Sequence, residues 1–93
     1  MIILTQKHNK YGNSPDAEFM EKCAEIDHHR PETWAKYQSG TVIGANEIIA
    51  MEYNELMSAA KSGNMKLWEE NIFHLSVALL NAWRSYESTK SDK

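Results

Sequence analysis

The chain has one cysteine, two prolines, four glycines and no long apolar run. Each scarcity removes a class of protein. A single cysteine, Cys23, excludes an internal disulfide framework and fits a reducing compartment, where it reads as a small apolar filler. No apolar stretch is long enough to cross a bilayer, and Met1–Leu4 is too short for the hydrophobic part of a signal peptide. A cytoplasmic protein without a membrane partner is expected. Basic side chains are also few: ten against thirteen acidic ones, for a formal charge of −3. A DNA or RNA polymer calls for a net basic face, so it is not the expected partner. A small anion needs only a few local cations.

What is present is helical periodicity. Residues 1–14 read as an extended arm. Ser14-Pro15-Asp16 then combines a cap, a first-turn proline and an acid at the positive end of the dipole. Phe19, Cys23 and Ile26 give a stripe, and a short helix is expected over 15–27. Pro31 interrupts the chain and suits the start of a second helix over 31–60, paced by Trp34, Tyr37, Thr41, Ala45, Ile48 and Leu56. Gly63-Asn64 supplies a left-handed cap followed by a new N-cap. A third helix over 64–88 carries the seam Trp68, Ile72, Leu75, Leu79, Ala82, Tyr86, and 89–93 is a polar tail.

The expected fold is therefore one all-α domain: a short N-terminal helix followed by a long antiparallel two-helix hairpin. Phe73, Val77, Leu80 and Trp83 lie off the seam, more apolar surface than one small subunit buries, so oligomerisation through the hairpin is expected.

Several constellations are candidates for chemistry. His28, His29 and Arg30 adjoin the expected helix start at Pro31, where free N–H groups, the dipole and a guanidinium fork suit phosphate. A solvated polar joint is the plain alternative. Lys10 and Tyr11 on the arm offer charge beside a stacking ring. Gly40 and Gly44, four residues apart in the expected second helix, suggest a flat strip for a helix or a ligand, with Ser39, Thr41 and Asn46 as polar neighbours. No metal-ligand spacing is found for the histidines, and His74 reads as a core or interface side chain. No phosphate loop, nucleophile elbow or zinc-protease motif occurs, so no catalytic residue is assigned. Glu47, Glu52 and Glu55 with Glu69 and Glu70 raise a metal-dependent nucleotide pyrophosphohydrolase, but lack paired spacing and read as a solvated face.

Phe73-His74-Leu75-Ser76-Val77-Ala78-Leu79-Leu80-Asn81-Ala82-Trp83, with His29-Arg30-Pro31 and Gly44-Ala45-Asn46-Glu47-Ile48 upstream, resembles a phage helical-hairpin domain. That domain is shared by phage anti-CBASS protein two and the first anti-Thoeris sponge. The resemblance spans residues 27–87 and implies a sponge. Such a protein sequesters cyclic dinucleotide, and also trinucleotide, immune messengers without cleaving them, in the cytoplasm of the infected bacterial host. It implies ligands held between subunits of a homo-oligomer, commonly a hexamer, with no cofactor.

The family seat pairs an N-terminal aromatic ring with a basic residue early in the hairpin. Tyr11 is the matching ring, within Lys10-Tyr11-Gly12 rather than the family's Gly-Tyr-Arg. The family lysine falls near Thr41, so Arg30, Lys36 or a lysine of the arm takes its place. A helical protein-interaction module remains the principal alternative function.

Overall fold

A computed structural model describes residues 14–91, and Lys10 and Tyr11 lie outside them. Among the described residues there are helices and no strands: α1 Pro15–His28, a short 3₁₀ helix Glu32–Lys36, α2 Val42–Ser62 and α3 Met65–Ser91. None of these helices is long and apolar enough to cross a membrane.

α1 begins as its sequence dictates, with Ser14 Oγ accepting from the Ala17 N–H at 2.9 Å and Pro15 in the first turn. At the other joint, Gly63 takes φ 75°, the left-handed conformation that ends α2, and Asn64 Oδ1 accepts from the Leu67 N–H at 3.0 Å. α3 packs mainly against α2 and also against α1. Trp34, Ile48, Val77 and Ala78 make the central cluster, with Cys23, Ile26 and Tyr37 against it.

The second helix departs from expectation. A continuous helix over 31–60 does not form; residues 37–41 break it, so α2 starts only at Val42. The local chemistry explains this. Gln38 to Thr41 closes a turn, with the Thr41 N–H donating to the Gln38 carbonyl at 3.0 Å. Thr41 Oγ1 then caps α2 by accepting from the Gly44 N–H at 3.0 Å, while its hydroxyl donates to Gln38 O at 2.8 Å. Ser39-Gly40-Thr41 is turn and cap sequence, and here it overrides the apolar rhythm.

The face of α3 that packs takes in only part of the apolar seam, of which Trp68, Ile72, Leu75 and Ala82 are partly buried. Its buried residues are Asn71, Val77, Ala78, Asn81 and Ser85, whereas Leu79 is 52% exposed and Tyr86 47%. Three hydrogen-bonding side chains, beside Val77 and Ala78, thus line much of the surface by which the longest helix joins its neighbours. α2 buries Gly44, Ala45, Ile48, Glu52, Leu56 and Ala59, a regular stripe of which three residues are small.

Candidate functional site

Asp27 organises the charged joint at the end of α1. Its Oδ1 accepts from Arg30 Nη2 at 2.8 Å and from Arg30 Nε at 3.2 Å. Its Oδ2 accepts from Arg84 Nη1 at 2.9 Å. Burial pushes the Asp27 carboxyl up, but the hydrogen bonds and charges of Arg30 and Arg84 outweigh burial and hold it below the usual carboxylate range. Arg30 also donates from Nη1 to Asn81 Oδ1 at 3.0 Å and lies 5.8 Å from the centre of the Trp34 ring.

Arg30 is therefore not the unpaired cation at a helix start that its place before Pro31 suggests. The element after Pro31 is a five-residue 3₁₀ helix with no side-chain cap, too short to carry a useful dipole.

Next to this joint lies a cleft of about 630 Å³ between α1 and α3. Phe19, Met20, Cys23 and Leu80 give it apolar walls, and Asp27, His28, Ser76 and Arg84 make it polar. Burial pushes the Cys23 thiol up, away from the thiolate form that a nucleophile needs. A space of this size, mainly apolar with a few convergent polar groups, suits a flat heterocycle bearing an anionic group. Arg84 supplies the cation, and His28 a second donor.

The other expected site residues scatter. His29 is exposed, its ring edge-on to His28 at 4.5 Å. Lys36 is exposed, its ammonium 5.5 Å from the centre of the Tyr37 ring. Thr41 is occupied as the cap of α2. Gly40 lies in the turn before α2, so Gly40 and Gly44 form no common helical strip. Gly44 is buried, and a Cβ there would overlap the backbone of Gln38. The glycine admits the chain's own turn.

Asn81 clamps that turn from α3. Its Nδ2 donates to Ser39 O at 2.9 Å, and Ser85 Oγ donates to the same carbonyl at 3.1 Å. With Arg30 on its Oδ1, Asn81 ties both ends of the irregular segment to one helix. Only its place in a short motif singled out Asn81, and nothing in its sequence neighbourhood signals Asp27 or Arg84. Arg84 is 57 residues from Asp27, a separation that periodicity does not register.

A second polar cluster lies inside the protein. Glu52, read from sequence as part of a solvated face, is 1% exposed. Trp34 Nε1 donates to its Oε2 at 2.7 Å, whereas Oε1 has no hydrogen-bond partner. His74 Nδ1 stands 3.7 Å from Oε1, close enough to pair electrostatically but beyond a hydrogen bond. Burial pushes the Glu52 carboxyl up, but its polar contacts with His74 and Trp34 and the His74 charge outweigh this and lower it. The contact with Glu52 raises His74 against burial, and the charges of Glu52, Glu70 and Glu55 add to the rise. Among the described residues no three His, Cys, Asp or Glu side chains converge as a metal site.

The chain matches no protein-family profile, no curated protein and no solved structure.

Proposed function

We propose that this protein is a binding protein without catalytic function, an anti-defence sponge of phage origin. It sequesters cyclic dinucleotide messengers, and trinucleotides as further ligands, in the cytoplasm of an infected bacterium. α2 and α3, joined by two residues and packed together, act as an antiparallel hairpin that assembles into a homo-oligomer, a hexamer in this reading. The observation that carries the ligand class is the α1–α3 cleft, with apolar walls beside Arg84 and His28. A base lies on the apolar wall. A phosphate meets the guanidinium donors of Arg84 that Asp27 does not engage, with His28 beside it. Arg30 acts mainly through Asp27, and Tyr11 stacks from the arm. Sequestration lowers the free messenger and keeps its effector empty by mass action.

Native protein is incubated with a panel of cyclic dinucleotides and trinucleotides, separated from free ligand and heated, and the released material is weighed by mass spectrometry. Intact nucleotide supports the sponge, whereas fragments indicate a hydrolase. Arg84→Ala should weaken binding by about one to two decades, the loss of a charge-assisted hydrogen bond. A similar loss is expected for Tyr11→Ala from unstacking.

The pairing of Arg30 and Arg84 with Asp27 favours a second reading. Cations already neutralised within the chain, beside exposed apolar side chains, suit a helical protein-interaction module. Retention of no nucleotide by the assembled protein decides for it.

A further inference from the structure

The two arginines at the joint are not used alike. Arg30 has every guanidinium nitrogen engaged: Nε and Nη2 donate to Asp27 Oδ1, and Nη1 donates to Asn81 Oδ1. Arg84 gives Asp27 only its Nη1, at 2.9 Å, and its side chain is 53% exposed. The rest of its planar fork of donors is therefore open to a ligand. Asp27 commits both oxygens to these cations. Among the described residues that line the α1–α3 cleft, it is the one acid. The cleft thus offers a cation that can receive a phosphate and sets a fixed anion directly beside it.

We propose that Asp27 is the charge selector of this cleft: it leaves one net positive charge where two arginines meet, and so biases the site towards a singly charged phosphodiester and against a doubly charged terminal phosphate. The inference rests on the phosphate reading of the cleft given above and adds what sets its specificity. Three observations carry it. Two guanidiniums share one carboxylate, and the single positive charge left over matches a single phosphodiester. Asp27 does not turn aside for a ligand, because three hydrogen bonds between 2.8 and 3.2 Å hold its two oxygens. The same cations keep its carboxyl ionised at neutral pH, against the effect of burial.

Coulomb's law sets the size of the effect. A phosphate on the open part of Arg84 and the carboxylate on its Nη1 share one small planar group, well inside the screening length of about 8 Å at physiological salt. At such range in water, repulsion weakens binding about fivefold for one ligand charge and about twenty-five-fold for two. A nucleotide ring closed through phosphodiesters carries one charge per phosphate. A linear nucleotide ends in a monoester whose second proton leaves near about pH 6. The carboxylate therefore disfavours the linear form about fivefold more than the cyclic one, which suits a binder that must ignore linear nucleotides.

Phosphorus NMR titration with phenyl phosphate and diphenyl phosphate, at about pH 8 where the first is doubly and the second singly charged, tests this. Asp27→Asn keeps an acceptor for the arginines. It should tighten diphenyl phosphate about fivefold and phenyl phosphate about twenty-five-fold, with helicity unchanged by circular dichroism. Glu47→Gln, an equal loss of charge at an exposed position on α2, should change neither. If Asp27→Asn loses helicity, Arg30→Gln, which keeps a donor for Asn81, should move the ratio of the two affinities the other way. An unmoved ratio in folded variants, an equal shift in Glu47→Gln, or no binding of either probe to the parent and to Asp27→Asn overturns the proposal. Retention of a cyclic dinucleotide by the parent separates the two ideas. A parent that retains it while the probe ratio stays unmoved loses the selector alone, whereas one that retains none while the ratio shifts loses the sponge and keeps the selector.

Discussion

Replacing Trp34 by phenylalanine keeps most of a buried ring and deletes one donor, the indole N–H that reaches Glu52 Oε2 at 2.7 Å. Glu52 is 1% exposed and its Oε1 already lacks a hydrogen bond, so the carboxylate would retain only His74 at 3.7 Å. A hydrogen bond to a charged group contributes about 1.5–3 kcal/mol, and the lost ring volume adds about 1 kcal/mol. Trp34→Phe should therefore destabilise the fold by about 2.5–4 kcal/mol.

Glu52→Gln should cost far less near pH 8, about 1 kcal/mol or below, because the amide oxygen still accepts from Trp34 and the amide nitrogen can donate to neutral His74. It should also remove a pH dependence. The folded His74 is raised from its ordinary 6.5, so its contribution is complete below that value and fades as pH rises through the folded pKa. The folded Glu52 is lowered from 4.5, so its contribution is present above that value and fades as pH falls through the folded pKa. The parent should thus be more stable at about pH 5.5 than at about pH 8, and Glu52→Gln should flatten that slope. Urea unfolding followed by circular dichroism, at one fixed protein concentration so that any self-association is held constant, measures both. An unchanged midpoint in Trp34→Phe, or the parental slope in Glu52→Gln, would refute the buried pair.

Gly44→Ala should destabilise by about 1–3 kcal/mol although alanine is the better helix former, since its Cβ would press on the Gln38 backbone. Gly40→Ala meets nothing within 4 Å and should be neutral or stabilise by up to about 1 kcal/mol; thermal melts of the two compare them directly. Asn81→Ala should free residues 37–41 by removing the bond to Ser39 O and the acceptor of Arg30, which amide exchange of Thr41 and Gly44 would report as faster opening.

Local chemistry alone settled much of this protein. Ser14-Pro15 starts α1, Gly63-Asn64 separates α2 from α3, and the 3.6-residue rhythm makes the described chain helical, because caps and periodicity act within a few residues. The same kind of signal was available at Ser39-Gly40-Thr41. There it competed with an apolar rhythm running through Trp34, Tyr37, Thr41 and Ala45, and the turn prevailed because Thr41 satisfies the first N–H groups of α2 and Asn81 holds Ser39.

Tertiary structure decided which face of each helix is inside. Periodicity locates an apolar stripe but not its partner, so the α3 seam looked like the packed side of the helix when Val77, Ala78, Asn81 and Ser85 are the residues buried there. It also decided the charges. Arg30, an exposed cation in sequence, is bound to Asp27 and Asn81, and Glu52, one acid among several, is buried beneath Trp34. Arg30 and Asp27 are only three positions apart, but Arg30–Asn81, Arg84–Asp27 and Trp34–Glu52 join residues 18 to 57 positions apart, and an electrostatic or hydrogen-bonding partner at that separation leaves no periodic trace in the chain.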